Sequence, residues 1–202
     1  MMRRLTQQGR GPRIGLLGGT FNPVHRGHLL LADGAREALH LDQVLWIPAY
    51  IPPHKAIEGK VTPNDRARMV ELAIQGHPAF RLSRVELNRP PPSYTIDTVR
   101  QLQADPAFKR ATWFLMIGSD TARELPTWRK LDELRKRVTF VAIPRPGDPA
   151  DKILPRGVVR LPVPAVNISS SAIRQRVRLG WEIQRLVPPA VVRYMEERAL
   201  YR

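Results

Sequence analysis

Short apolar runs alternate with stretches of helical period along the chain. RIGLLG (13–18), QVLWIPA (43–49), FRLSRVEL (80–87), TWFLMIG (112–118), RVTFVAIP (137–144) and VVRLP (158–162) predict six strands. Helical patterns fall between them, at HLLLADGAREALH (28–40), TPNDRARMVELAIQG (62–76) and TIDTVRQLQA (95–104). Thr62 suits a helix N-cap, Pro63 the first helical position and Gly76 the stop. Thr95 is expected to cap the third helix. The C-terminal part turns helical in SSSAIRQRVRLG and PPAVVRYMEERAL. The aromatics Trp46, Trp113 and Phe114 sit inside strand runs and are expected in the core.

Strand–helix alternation of this kind predicts an α/β fold. The expected architecture is a Rossmann-like doubly wound parallel sheet with helices on both faces and a small C-terminal helical segment, about 168–202. Residues 1–11 are expected to form a flexible N-terminal tail and 12–202 a single domain. Doubly wound sheets bind ligands outside the carboxyl ends of their strands, where the strand order reverses. The residues just after each strand are therefore the candidates for chemistry.

Composition narrows the partners. With 202 residues and 43% hydrophobic positions, the chain can bury a sizeable core. No apolar run approaches the ~20 residues of a membrane span, and the basic start, MMRRLTQQGRGPR, lacks the apolar stretch of a signal peptide. A cytoplasmic protein without membrane partners is expected. The absence of cysteine excludes disulfides and thiolate metal sites. The net charge of +15 favours anionic partners. The arginines are scattered rather than blocked, however, and aromatics make up only 6% of the chain, several of them in strand runs. A nucleic-acid groove with stacking aromatics is not expected; a phosphorylated small molecule is.

The segment LLGGTFNPVHRGHLLLA (16–32) carries the sharpest signal. Gly18 ends the first strand and Gly19 opens the turn, and both let a ligand approach the backbone. His25 and His28, three apart around Gly27, fall at the start of the following helix, where free N–H groups and the helix dipole attract an anion. A second such place is NISSSAIRQR (167–176), where Ser169, Ser170 or Ser171 caps a helix and Arg174 lies one turn in.

Together the H-x-G-H and I-S-S-x-x-x-R motifs resemble the H-x-G-H nucleotidyltransferase superfamily. The middle of the chain narrows the resemblance. PPHK, SYTIDT, IGSD followed by LPTW, RPG, ISSSAIR and LVPPAVVRYMEERALY are similar, in order and spacing, to bacterial nicotinate-nucleotide adenylyltransferases over about 13–201. The resemblance implies that ATP and nicotinate mononucleotide give deamido-NAD and pyrophosphate, a late step of NAD biosynthesis, by direct in-line attack on the α-phosphate. It implies Mg²⁺, expected to ride on the ATP phosphates because no clustered carboxylates mark a protein-built cage. Nicotinamide mononucleotide is the alternative acceptor. Phosphopantetheine adenylyltransferase shares H-x-G-H but would lack SYTIDT and PTW.

Carried over, His25, His28 and Arg174 are the catalytic candidates, with His28 stabilising the transition state. Gly18, Gly19, Thr20 and Phe21 line the nucleotide cleft, and Ile168, Ser169, Ser170 and Arg174 hold the triphosphate. Gly118 and Asp120 contact ribose. Thr95 and Trp128 hold the nicotinate, with backbone N–H groups near Trp128 and Arg129 reading its carboxylate, and Lys55 lies near the substrate phosphate. Two bland alternatives stand beside these roles: Trp128 as a core aromatic and Asp120 as a helix cap. Where many family members carry Asp, this chain has Asn22, which keeps an acceptor but drops the charge, and no metal role is assigned to it. Oligomeric state is left open.

Overall fold

The computed structural model describes residues 10–51, 60–144, 154–164 and 166–202. Six strands form one sheet: β1 (Arg13–Gly19), β2 (Gln43–Pro48), β3 (Phe80–Leu82), β4 (Thr112–Gly118), β5 (Thr139–Ile143) and β6 (Val158–Arg160). Their order is β3-β2-β1-β4-β5-β6 and every pairing is parallel. This is the doubly wound order expected from the alternating pattern. The order reverses beside β1, which pairs Leu16 with Leu45 of β2 on one side and Leu115 of β4 on the other.

Both faces of the sheet are covered, which is why its strands read as continuous apolar runs. Leu17, Trp46 and Met116 enter one core with residues of α1 (Arg26–Ala38), α2 (Pro63–Ile74), α6 (Ser170–Arg178) and α7 (Pro189–Glu197). Leu16, Leu45, Trp113 and Leu115 enter the opposite core with α3 (Thr95–Ala104) and α5 (Leu131–Arg137). A short helix, α4 (Ser119–Arg123), follows β4 directly. Among the described residues no helix is long and apolar enough to cross a membrane.

Several boundaries differ from the sequence expectation. The strand predicted over 80–87 stops at Leu82. Its last ladder bond is Ser83 N–H to Trp46 O (2.8 Å), after which the chain turns, with Leu87 and Asn88 both donating to Arg84 O. Val85 is buried by that turn rather than by strand pairing, which mimics a strand's alternation. α3 is capped by Tyr94, so Thr95 is its first helical residue and not its cap. α4 and α5 were not foreseen. α5 buries only Leu134, so it carries no apolar stripe. Its signal lies in charge instead: Asp132 and Glu133 in the first turn, Arg135, Lys136 and Arg137 in the last, each complementing the helix dipole.

Candidate functional site

The turn after β1 is built from residues with tight steric requirements. A Cβ at Gly18 would meet nothing within 4 Å, so the backbone there faces open space. A Cβ at Gly19 would press on the Phe21 ring at 3.0–3.3 Å. Phe21 itself sits in the left-handed region (φ 49°) and is buried. Its ring lies between Trp46 (5.5 Å) and the edge of His28 (5.2 Å). Phe21 thus supports the turn from below.

His25 is the N-cap of α1, buried and extended (φ −147°, ψ 170°), and His28 is the third residue of the helix. The two rings lie 3.7 Å apart between centroids, inclined by 30°. The His25 N–H donates to Nδ1 of His28 at 3.2 Å. His28 therefore fills the place that Glu or Gln takes in an ordinary capping box. A neutral imidazole that accepts at Nδ1 carries its proton on Nε2, so the cap also makes the other nitrogen of His28 a donor. Gly27 makes the pair possible. A Cβ there would stand 3.0 Å from Nδ1 of His25 and 3.3 Å from Cβ of Ile168.

The second helix start comes to the same place. Ser169 caps α6, its hydroxyl accepting from Ala172 N–H (3.2 Å). The Ser170 hydroxyl donates to Pro23 O (2.9 Å), and an Arg174 NH group donates to Asn22 O (2.8 Å). The turn after β1 and the first turn of α6 are thus joined, bringing Gly18, Thr20, His25, His28, Ile168, Ser169, Ser170 and Arg174 together. Arg174 reaches this corner through a main-chain carbonyl.

The side of the sheet beyond β4 holds the remaining candidates. Gly118 caps α4, and the exposed Asp120 is its second residue, its carboxylate accepting from Thr121 N–H (2.9 Å). Asp120 lies in a helix first turn without being the cap. The Arg129 guanidinium lies 4.7 Å over the Tyr94 ring, which brings the Trp128–Arg129 loop against the start of α3 that carries Thr95. Trp128 is half-buried and meets Phe140 edge-on (6.3 Å). It is partly a core aromatic and partly a surface. The Trp128 N–H already donates to Leu125 O (2.9 Å), so this geometry does not offer it to a carboxylate. Lys55 lies outside the described residues.

Sequence reasoning missed the groups behind these loops. Arg66 of α2 is completely buried, and its two amino groups donate to Thr20 O (2.9 Å) and Tyr50 O (2.8 Å). Burial lowers its pKa, partly opposed by Tyr201. The signal was present, since position 66 falls on the buried stripe shared with Met69, Val70 and Ala73. Tyr201, far along the chain, donates to Oδ1 of Asn22 (2.7 Å). Burial pushes its phenol well above the ordinary range, against the opposing effect of Arg174 and Arg66, so it stays a neutral donor. Next to Arg66, Asp65 turns the other way and caps α2 with Thr62 while accepting from the Tyr194 hydroxyl (2.8 Å). Burial raises its pKa, but the bonds from Thr62 and Tyr194 and the charge of Arg198 outweigh that and hold it low. Behind α3, the Thr98 hydroxyl donates to Glu86 (2.6 Å), while Arg89 donates to Thr98 (2.6 Å) and to Tyr94 O (3.1 Å).

Two helix N-termini, two histidines and a glycine turn meet at the point where the strand order of this α/β fold reverses, where doubly wound sheets bind nucleotide phosphates. Residues 16–176 match the model of the cytidylyltransferase-like family. Curated relatives described as "Probable nicotinate-nucleotide adenylyltransferase" include one from Geobacillus thermodenitrificans, 46% identical, covering 94% of this chain and 86% of the relative. Another, from Thermus thermophilus, is 45% identical and covers 94% of this chain and 100% of the relative. The fold also matches the solved Plasmodium falciparum nicotinic acid mononucleotide adenylyltransferase complexed with NaAD (TM-score 0.76, 18% identity, 94% of this chain and 97% of that one). The chain belongs to the cytidylyltransferase-like family and, within it, to the nicotinate-nucleotide adenylyltransferases.

Proposed function

We propose that this chain joins ATP and nicotinate mononucleotide into deamido-NAD with release of pyrophosphate, and that the carboxyl edge around His25, His28 and Arg174 is where it does so. The single observation that carries the site is the convergence of the α1 and α6 N-termini, through Ser170 to Pro23 and Arg174 to Asn22. The acceptor needs no base, because its phosphate oxygen is already an anionic nucleophile. That oxygen attacks the α-phosphorus in line, and the bond to the β-phosphate breaks. Catalysis then rests on positioning and on stabilising the charge that develops.

The residues divide accordingly. The Nε2–H of His28, the α1 N-terminus and the side chains of Ser169 and Arg174 hold the triphosphate over Gly18, Gly19 and Thr20, with Ser170 fixing the start of α6 through Pro23 and Ile168 closing the side next to Gly27. Gly118 and Asp120 take ribose. Thr95, Trp128 and Arg129 surround the nicotinate, and Lys55 the acceptor phosphate. The described residues contain no group of three His, Asp or Glu that could hold a metal, and the donors of this corner are N–H and O–H groups suited to phosphate oxygens. Mg²⁺ would be held through the triphosphate, where it neutralises phosphate charge. We read 12–202 as one domain and the protein as cytoplasmic, with neither nucleic acid nor membrane as partner.

The deciding experiment is pyrophosphate release from ATP with Mg²⁺, comparing nicotinate and nicotinamide mononucleotide. Release with nicotinate alone supports the reading. Equal release with both would overturn the base preference, and release with neither would overturn the reaction.

A further inference from the structure

Arg66 is a completely buried cation whose two amino groups bond the backbone of two separate loops. It belongs to α2, on the flank of the sheet. One amino group donates to Thr20 O at 2.9 Å, in the glycine turn after β1. The other donates to Tyr50 O at 2.8 Å, in the chain leaving β2. Thr20 and Tyr50 lie 46 and 16 residues from Arg66 in sequence, so one planar guanidinium joins three separate segments. Among the described residues no carboxylate lies within ion-pair distance of it, and its Nε has no hydrogen-bond partner. Asp65, next to it in the helix, is occupied with Thr62, Tyr194 and Arg198.

A buried cation without a carboxylate is costly. A lysine or glutamine could satisfy one carbonyl, but only a rigid fork spans two at fixed separation. On the proposed reading the turn after β1 serves the triphosphate, and β2 is followed in sequence by Lys55, assigned to the acceptor phosphate. Resting on the proposed reaction, we infer that Arg66 is a positioning residue that sets the distance between the turn after β1 and the chain leaving β2, by bonding the carbonyls of Thr20 and Tyr50 at once. Its charge, held beneath the turn, adds to the field that the triphosphate meets.

Two functions of one group can be separated by two variants. Arg66→Lys keeps the charge but loses the fork; Arg66→Met loses both. Steady-state kcat and both KM values are measured on the full chain, together with thermal unfolding without ligand. In Arg66→Lys, kcat/KM should fall on the order of 10²-fold for both substrates, as expected of a displacement of about 1 Å between reacting groups. Arg66→Met should lose the same kcat and, in addition, raise KM for ATP about tenfold above the Lys variant. Both should remain folded at the assay temperature. Variants within about threefold of wild type for both substrates would overturn the assignment, as would a loss confined to one substrate. Unfolding of both variants would make Arg66 purely structural and overturn it equally. Failure of the wild type to turn over ATP with nicotinate mononucleotide would instead remove the reading on which the inference rests.

Discussion

The phenol of Tyr201 donates to the side-chain oxygen of Asn22 at 2.7 Å, across 179 residues of sequence. The main-chain carbonyl of the same asparagine accepts from Arg174. Asn22 is thereby held from two sides by the C-terminal part of the chain. This gives the asparagine in GTFNP a task that needs an acceptor and no charge. Tyr201→Phe removes the donor and leaves the ring in place. A loss of about 1 kcal/mol is expected, seen as a fall in the unfolding midpoint of about 2–4 °C by calorimetry. KM for ATP should rise with it, because the turn it steadies is the one proposed to hold the phosphates.

His28→Ala should cut turnover by about 10²–10³, the usual cost of losing a donor to developing charge. Because the His25 N–H also loses its cap, unfolding should come at slightly lower temperature. Single-turnover rates on folded enzyme separate the two effects, and near-normal turnover in a folded variant would remove His28 from the chemistry.

Gly27→Ala tests the spacing itself. The added methyl would meet the His25 ring at 3.0 Å and Ile168 at 3.3 Å. The imidazole has to give by a few tenths of an ångström, and with it the neighbouring His28. Activity should fall at least tenfold while stability changes by about 1 kcal/mol, measured as kcat/KM beside a denaturant melt.

Much of the architecture could be read in advance, and for one reason. Strands covered on both faces leave apolar runs such as TWFLMIG, and these need no tertiary information to recognise. β3 misled because a buried turn residue, Val85, kept the strand's rhythm going after the pairing had ended. α4 and α5 were hidden because five and seven residues are too few to show an apolar period. The same division holds at the site. His25, Gly27 and His28 act on neighbours one turn away, so their spacing shows. Arg66 and Tyr201 act on carbonyls and side chains far along the chain, and no local pattern reports a partner 46 or 179 residues distant.

Glu86 supplies a pH test. Burial pushes its carboxyl above the usual range, against the Thr98 hydroxyl and the charge of Arg89. The native state thus holds this proton more tightly than the unfolded chain does. Its contribution to stability is fully present below the unfolded pKa and is lost as pH rises from about 4 through the native value. Glu86→Gln keeps an acceptor for Thr98 and should flatten that part of the stability–pH curve. An unchanged curve in unfolding midpoints measured across acid to neutral pH would show that Glu86 does not titrate there.

The joining of residues 22 and 23 to residues 170, 174 and 201 also has a consequence for synthesis. The glycine turn and its two histidines leave a ribosome well before their partners at residues 170, 174 and 201. Domains built from the N-terminus can pair strands as they emerge, so β1 to β4 can assemble early. The joining of the β1 turn to the start of α6 cannot. If that corner is the proposed phosphate site, a nascent chain should not bind ATP until the residues near 200 are free to fold back, and nucleotide added to a refolding mixture should speed the last docking step without touching the earlier ones.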